Sequence, residues 1–214
     1  MNLSIKLISA LVLSMAQCAV HASDAPVIGD AAAGKAKSAM CMACHGMDGN
    51  SPSNAFPSIA GQNAAYIAKQ LQDYKSGRRV NALMVGMVAG LTAEDMQNLG
   101  AFYASQEIKA PPVAADMQKL IEQGHVLYQT GRAATNSAPA VAACSACHGA
   151  AGFGNALAAY PALHGQHAAY TELMLKAFRD GARTNDLNAV MRQAGQTLTD
   201  DDIRALAAYA ASMQ

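Results

Sequence analysis

The 214-residue sequence contains no tryptophan, and aromatic residues of all kinds make up only 5% of it. A chain that is poor in aromatics and rich in alanine and methionine favours helices and argues against a β-sandwich or a β-barrel. Charge is also scarce, because 15 Lys and Arg residues balance 15 Asp and Glu residues and leave a formal net charge of zero. Since there is neither a basic stripe nor an interleaved aromatic platform, we expect no nucleic-acid partner.

Long apolar runs are missing too, apart from a short one near the N-terminus. Residues 7–20 are mostly apolar but too few to span a bilayer comfortably, and they follow the positive Lys6. The pattern predicts a signal peptide over residues 1–22, cleaved after a Val-His-Ala sequence, and a mature chain that starts at Ser23. An uncleaved anchor is the alternative. Lipidation at Cys18 is disfavoured because a glutamine precedes it.

Cysteine is the next scarce residue, with five in the whole chain and one of them in the predicted signal peptide. The other four form two close pairs, Cys41 with Cys44 and Cys144 with Cys147. Each pair lies in a Cys-x-x-Cys-His-Gly sequence, and a Pro-x-x-x-Gly-Gln sequence follows at 57–62 and again at 161–166. The duplication predicts two tandem domains of one kind, since two copies are too few for a solenoid.

A proline-containing stretch divides the two halves. The sequence Lys-Ala-Pro-Pro-Val at 109–113 interrupts any helix and favours a short, stiff linker. We therefore predict an N-terminal domain over residues 23–108 (the first repeat), a linker over 109–115 and a C-terminal domain over 116–214 (the second repeat).

Both repeats have the pattern of helices. Large apolar residues recur at helical spacing after each Gly-Gln sequence. They are Ile67, Leu71 and Tyr74 in the first repeat and Leu175 and Phe178 in the second. The last helix of each repeat has a start signal, Leu-Thr-x-x-Asp, at 91–95 and at 198–202, which is typical of a capping box with a hydrophobic staple. The predicted fold class is all-α.

The Cys-x-x-Cys-His sequence is the attachment motif of c-type haem. Two cysteines three positions apart lie on the same side of a helical turn, so both thiols reach the vinyl groups at one haem edge. The next residue, His45 or His148, then projects toward the iron as the proximal ligand. Structural zinc and a redox dithiol are the alternatives. A zinc ribbon separates its cysteine pairs by about 15–20 residues, whereas the pairs of this chain lie much farther apart, one in each repeat. Redox dithiols occur in a strand–helix context, which this helical pattern lacks. Two covalently bound haem c groups are therefore favoured.

A sixth iron ligand decides the function, because an open position allows a substrate to bind and a filled one restricts the haem to electron transfer. Met84 and Met191 each lie seven positions before the leucine that precedes the last helix of their repeat. Met87 and Met47 align with alanines in the second repeat and fail this test of equivalence. A methionine more often packs in a core than binds a metal, but the equivalence favours Met84 and Met191 as iron ligands.

Two prolines and three histidines complete the set of candidates. Pro57 and Pro161 follow the proximal histidines by twelve and thirteen positions, and their carbonyls are natural acceptors for the second ring N–H, although plain loop prolines are the alternative. Of the remaining histidines, His164 and His167 have no first-repeat counterpart. We expect both, and His125, to be partly exposed polar residues. Contact with a haem propionate or alternative ligation of the second iron is the other interpretation.

Together these motifs resemble the cytochrome c4 family over nearly the whole mature chain. In the first repeat the resemblance rests on Cys-x-x-Cys-His-Gly, Pro-Ser-Ile-Ala-Gly-Gln-Asn-Ala-Ala-Tyr from Pro57, Gly77-x-Arg79 and Met84-x-x-Met87. In the second it rests on Pro-Ala-Leu-His-Gly-Gln-His-Ala-Ala-Tyr from Pro161 and on residues 178–185. The resemblance implies two class I cytochrome c domains packed face to face around a pseudo-twofold axis. It also implies His45/Met84 and His148/Met191 ligation and electron exchange between nearby haems.

The same resemblance implies a periplasmic electron carrier that is not an enzyme. Such proteins pass electrons from a quinol–cytochrome c oxidoreductase to a terminal oxidase or another periplasmic reductase, with loose membrane association as an option. One alternative is a dihaem subunit of a dehydrogenase, such as a flavocytochrome sulfide dehydrogenase. Another is a peroxidase or thiosulfate-oxidising enzyme, which would require an open or unusually ligated iron.

Charge distribution sets this sequence apart from family members that have one acidic and one basic domain. Residues 23–109 hold seven basic and seven acidic side chains, and residues 110–214 hold seven and eight. We therefore expect docking to redox partners to depend only weakly on salt.

Overall fold

The computed structural model describes residues 29–136 and 138–214, so the predicted signal peptide lies outside the described residues. Helices account for the regular structure there, with two isolated β-bridges and no longer ladder among the described residues. The helices of the first repeat are α1 (Ala31–Lys37), α2 (Met42–His45), α3 (Ala64–Lys75), α4 (Ala82–Val88) and α5 (Ala93–Ala104). Those of the second are α6 (Gln118–Thr130), α7 (Ser145–His148), α8 (Ala168–Arg179), α9 (Val190–Gly195) and α10 (Asp200–Ser212). Short 3₁₀ turns add Ser38–Met40, Ala115–Met117 and Leu187–Ala189.

The two repeats build the same packing arrangement. In the first, α5 packs against both α1 and α3, and in the second, α10 packs in the same way against α6 and α8. Each repeat has its own buried apolar cluster, centred on Met96, Leu99 and Tyr103 in the first and on Tyr128, Ile203 and Leu206 in the second. The all-α prediction is therefore confirmed.

The start signals of the last helices form as the sequence predicts. Thr92 accepts a hydrogen bond from Asp95 N and Asp95 accepts one from Thr92 N, and Thr199 and Asp202 repeat this capping box at the start of α10. The leucine before each cap is buried in the same apolar cluster as the residue of the staple, Met96 or Ile203. These caps fix where α5 and α10 begin. The staples fix the angle at which the chain enters these helices from α4 and α9, which contain Met84 and Met191.

Residues 107–114 contain no helix and run along the first repeat. The side chain of Asn50 donates to the Glu107 carbonyl and accepts from Lys109 N, while Lys109 Nζ lies 2.7 Å from Asp48 Oδ2. The connecting segment is thus tied by several bonds to the loop that follows His45. That loop begins next to the candidate site, so the link between the repeats is anchored close to it.

Candidate functional site

The first Cys-x-x-Cys-His motif forms one short helical turn. Cys41 stands at the N-cap of α2, and Cys44 and His45 lie within that helix. Both cysteines are free thiols and half-buried, and Cys41 packs against the first apolar cluster. The ring of His45 is buried, and its Nδ1–H donates to the Pro57 carbonyl at 2.8 Å. Because a carbonyl can only accept, this bond fixes the tautomer of the neutral ring and leaves the lone pair of Nε2 free for a metal ion.

The second motif repeats this geometry. Cys144 stands at the N-cap position of α7, His148 is the last residue of that helix, and His148 Nδ1–H donates to the Pro161 carbonyl at 2.9 Å. An aromatic ring stands beside each proximal histidine, with centroids 6.4 Å apart for Phe56 and His45 and 6.1 Å apart for Tyr160 and His148. The proline acceptors that the sequence analysis proposed therefore lie at equivalent places in both repeats.

Burial sets the protonation of both motifs. It lowers the pKa of His45 and of His148, although the proline carbonyls oppose this effect, so both imidazoles are neutral near pH 7 and can bind a metal. Burial also raises the pKa of the Cys41 thiol and raises that of Cys144 to about 11. A redox dithiol needs a lowered thiol pKa at its nucleophilic cysteine, and the raised pKa values of Cys41 and Cys144 disfavour them for that role.

Met84 lies in the first turn of α4. Asn81 caps this helix by accepting hydrogen bonds from Leu83 N and Met84 N, both at 3.1 Å, and Met84 is half-buried against the first apolar cluster. Every residue of α4 is apolar, yet Leu83 is 67% exposed, and Val85 and Met87 are exposed as well. The helix α4 thus exposes apolar side chains around the half-buried thioether of Met84. Such a surface is one that a flat apolar group would cover.

Met191 lies at the equivalent place but on a differently built segment. The 3₁₀ turn before α9 contains Asn188 and Ala189 with φ of 54° and 58°, in the left-handed region that is unusual for residues other than glycine. Asp186 holds the segment instead, because its carboxylate accepts from both the backbone N and the Nε of Arg192, at 3.0 and 2.8 Å. The buried carboxylate of Asp186 therefore holds Arg192, the residue that follows the candidate ligand Met191.

The residues of each site fit a covalently attached haem. In both sites two free thiols on one helical turn, a neutral imidazole with Nε2 available and a thioether supply the donors that the group requires. In the first site the exposed apolar side chains of α4 add an apolar lining. The attachment residues are Cys41, Cys44, Cys144 and Cys147, and the candidate iron ligands are His45, Met84, His148 and Met191. The iron of such a group would supply one-electron chemistry by cycling between the ferric and ferrous states.

The remaining histidines correct one sequence-based expectation. His164 and His167 are not partly exposed but buried, at 7% and 9% exposure. His164 Nδ1–H donates to the Gly152 carbonyl and its ring packs on Phe153 with centroids 4.5 Å apart. His167 Nε2–H donates across the repeat interface to the Ser51 carbonyl at 3.0 Å. Of these three histidines, His125 is the exposed one, and its ring lies against that of Tyr209. Packing of the two repeats against each other, which single-repeat reasoning does not include, explains the burial of His167.

Two glutamines that the local motifs do not indicate as site residues each bond to the backbone beside the site of the other repeat. Gln166 of the second repeat pairs with the backbone of Ser58 in the first: Ser58 N donates to its Oε1 at 3.0 Å, and its Nε2 donates to the Ser58 carbonyl at 2.7 Å. Gln62 forms the same pair with Ala162, at 2.9 Å in both directions. Ser58 and Ala162 directly follow the prolines that hold the proximal histidines. The signal that could have revealed these residues was the Gly-Gln dipeptide repeated in both halves.

A second layer of the interface also follows the duplication. Arg79 Nη2 donates to the Tyr170 hydroxyl at 2.9 Å, and Arg183 Nη2 donates to the Tyr66 hydroxyl at 3.0 Å. Both arginines also donate to the side-chain carbonyl of Gln70. The two arginine–tyrosine bonds and the two bonded pairs of Gln62 and Gln166 are reciprocal between the repeats, as a face-to-face packing about a pseudo-twofold axis would have them. Gln70 departs from this symmetry because it accepts from both arginines.

Comparison with known proteins agrees with the fold and with the two sites. The cytochrome c family model matches twice, over residues 31–110 and 121–214. Cytochrome c4 of Azotobacter vinelandii is 43% identical over 191 residues, which cover 85% of this chain and 88% of that protein. The reduced recombinant cytochrome c4 from Pseudomonas stutzeri superposes with a TM-score of 0.80 at 40% identity and covers 87% of this chain and all of that one. A thiosulfate dehydrogenase electron acceptor from Stutzerimonas stutzeri (strain A1501) is 34% identical over 207 residues, 96% of this chain and 92% of that protein.

The chain therefore consists of two class I cytochrome c units in tandem. It belongs to the cytochrome c4 family, whose members are dihaem electron-transfer proteins rather than enzymes. Its two Cys-x-x-Cys-His motifs accordingly attach two haem c groups, and the zinc alternative is set aside. None of the helices within the described ranges is long and apolar enough to cross a membrane.

Proposed function

We propose that this protein is a periplasmic shuttle that takes up and releases one electron at each of two His/Met-ligated haems. The iron ligands are His45 with Met84 and His148 with Met191, within units that span residues 23–108 and 116–214. The observation that carries the proposal is the repetition of one site design, in which a neutral histidine anchored by a proline carbonyl is matched by a methionine at the equivalent place. Two filled coordination spheres favour electron transfer over substrate chemistry.

The ligand assignment predicts the spectra of single-methionine variants. Met84→Ala and Met191→Ala should each remove about half of the methionine–iron charge-transfer band of the oxidised protein, because each deletes one thioether ligand. Met87→Ala, on the same helix as Met84, is the matched control and should leave the band intact. If both ligand variants keep the full band, the assignment is wrong. Binding of carbon monoxide by the reduced wild-type protein would argue against two filled sites.

Membership of the cytochrome c4 family supports redox proteins as the electron donor and acceptor. We propose a quinol–cytochrome c oxidoreductase as donor and a terminal oxidase or other periplasmic reductase as acceptor. The experiment is reconstitution with purified complexes, in which the protein should be reduced by the first and oxidised by the second. The predicted signal peptide over residues 1–22 belongs to the same proposal. The intact mass of the exported protein should correspond to a chain from Ser23 with two haems.

A second candidate donor is a periplasmic dehydrogenase. The similarity to a thiosulfate dehydrogenase electron acceptor favours a role in which the protein collects electrons from thiosulfate oxidation. Stopped-flow reduction by thiosulfate dehydrogenase and by the quinol-oxidising complex, at equal concentrations, separates the two roles. Stable co-purification with a flavoprotein would instead indicate a flavocytochrome subunit.

A further inference from the structure

We propose that each repeat sets the reduction potential of the haem in the other one. Gln166 of the second repeat would lower the potential of the haem held by His45, and Gln62 of the first repeat would lower that of the haem held by His148. The inference rests on the proposed ligation by these two histidines. It concerns positioning residues, because neither glutamine touches a haem ligand directly.

A single peptide group joins Gln166 to the first site. The Pro57 carbonyl accepts from His45 Nδ1–H at 2.8 Å, and the N–H of the same peptide, on Ser58, donates to Gln166 Oε1 at 3.0 Å. The chain of donors therefore runs from imidazole to peptide to side-chain amide, across the interface between the repeats. Ser58 is 5% exposed, so water has little access to this N–H.

The second site has the mirror arrangement. The Pro161 carbonyl accepts from His148 Nδ1–H at 2.9 Å, and Ala162 N donates to Gln62 Oε1 at 2.9 Å. Ala162 is 8% exposed and Gln62 is 9% exposed. The crossing is thus reciprocal, and each glutamine belongs to the repeat opposite to the histidine that it influences.

The orientation of both amides is fixed by further bonds. Gln166 Oε1 also accepts from His167 N, and Gln62 Oε1 also accepts from Asn63 N, both at 3.0 Å. The Nε2 groups donate to the carbonyls of Ser58 and Ala162. A flipped amide would place its N–H₂ against two N–H donors, so only the observed orientation puts an acceptor on the peptide.

Hydrogen bonds in such a chain strengthen one another. An acceptor on the peptide N–H increases the negative charge on its carbonyl oxygen, and that oxygen then draws more strongly on the imidazole N–H. A histidine whose second nitrogen donates more strongly is a more basic ligand. A more basic ligand stabilises ferric over ferrous iron and lowers the reduction potential. Separation of the repeats, or docking that shifts them, would therefore be felt at both irons together.

The test is spectroelectrochemical titration of the holoprotein with one glutamine changed at a time. Gln166→Leu removes the acceptor at similar size and should favour reduction of the first haem about threefold, which is about 28 mV at 59 mV per tenfold for one electron. Gln62→Leu should shift the second haem instead. Met84→Ala and Met191→Ala identify which titration wave belongs to which haem.

Tyr170→Phe and Tyr66→Phe are the matched controls, because each removes a hydrogen bond across the interface without touching either peptide. They should leave both potentials within the error of the titration. The His45 Nδ1–H proton resonance should move upfield in Gln166→Leu and stay in place in Tyr170→Phe, a change that a general loosening of the interface would not produce selectively.

Crossed shifts support the proposal. Equal shifts of both haems in one glutamine variant, shifts in the same repeat as the substitution, or no shift at all would overturn it. If the methionine–iron band and low-spin spectrum of a glutamine variant are unchanged while the potentials stay fixed, the tuning fails and the proposed ligation stands. If Met84→Ala and Met191→Ala leave the band intact, the ligation itself fails.

Discussion

At the scale of single residues, two glycines decide how closely the helices of each repeat can approach. A Cβ atom on Gly34 of α1 would lie 1.9 Å from the Asn98 carbonyl oxygen of α5, and one on Gly124 of α6 would lie 2.0 Å from the Ala205 carbonyl oxygen of α10. The clash is with backbone, which cannot turn away as a side chain could. The contacts of α1 with α5 and of α6 with α10 can therefore be this close only because glycine has no side chain.

Gly34→Ala and Gly124→Ala should each destabilise the protein by about 1–3 kcal/mol, the usual cost of overpacking a close contact. Thermal unfolding of the oxidised holoprotein measures the effect as a lower midpoint temperature. Gly90→Ala is the control, because its Cβ would meet no atom within 4 Å and its φ is not in the left-handed region. An equal loss of stability in all three variants would show that the close crossings do not carry the effect.

The sequence indicates the candidate residues of each site, but not the residues that act on them from the other repeat or from a neighbouring helix. The cysteine pairs, the histidines that follow them and the proline acceptors have fixed spacings within one repeat, so a local pattern indicates them. Gln62 and Gln166 act across the interface, 108 positions from the backbone of Ser58 in the case of Gln166. Gly34 and Gly124 act at a helix crossing. Such contacts depend on packing in three dimensions, which no spacing along the chain reports.

At the scale of elements, the duplication predicted equivalence where the structure has two different designs. The segment that presents Met84 starts with an Asn81 cap, whereas the one that presents Met191 passes through two left-handed residues and is held by Asp186 and Arg192. The side chain of Asp186 is only 4% exposed. Alignment of the two repeats gives the methionines the same position but could not reveal that one segment depends on a carboxylate and the other on a neutral amide.

This difference predicts acid sensitivity at the second site alone. Burial would raise the pKa of Asp186, but the backbone and guanidinium donors of Arg192 outweigh it and the pKa lies below its ordinary value. Its stabilising contribution is therefore complete above the unfolded-state pKa of about 3.9 and is lost as the pH falls through the lower folded-state value. In the Met84→Ala background, where the remaining charge-transfer band reports Met191, that band should weaken across this acidic window.

Asp186→Asn in the same background should weaken the Met191 band already at pH 7, by a loss on the order of 1.5–3 kcal/mol for a bond to a charged group. It should also flatten the acid dependence of that band. Asn81→Ala in the Met191→Ala background is the counterpart for the first site and should change stability without adding any acid dependence. A Met191 band with the same pH profile in the presence and absence of the carboxylate would refute the assignment to Asp186.

At the scale of the whole molecule, one buried network makes the two repeats a single unit. Asp73 of the first repeat is 1% exposed and accepts from Lys69, from Arg78 and from Asn185 of the second repeat. Burial raises its pKa, but these donors outweigh that effect and hold the pKa below its ordinary value. The ion pairs of Asp73 lie within the first repeat, and the bonds that Asn185 makes with Asp73 and Lys69 connect them to the second repeat. The charges of the whole chain stay close to balance.

The balanced surface predicts a weak dependence of electron transfer on ionic strength. Steering between proteins acts over roughly a Debye length, about 10 Å at 0.1 M salt, and needs an excess of one sign. Residues 23–109 have no such excess, and residues 110–214 have one acidic side chain more than basic ones. Stopped-flow rates with a redox partner should therefore change by no more than about twofold between low and physiological salt.

Replacing exposed Lys35 and Lys119 by glutamate creates an acidic excess in both repeats and should make the rate with a basic partner fall as salt rises. A steep salt dependence in the wild-type protein would show instead that charges close to the docking site govern association in spite of the overall balance.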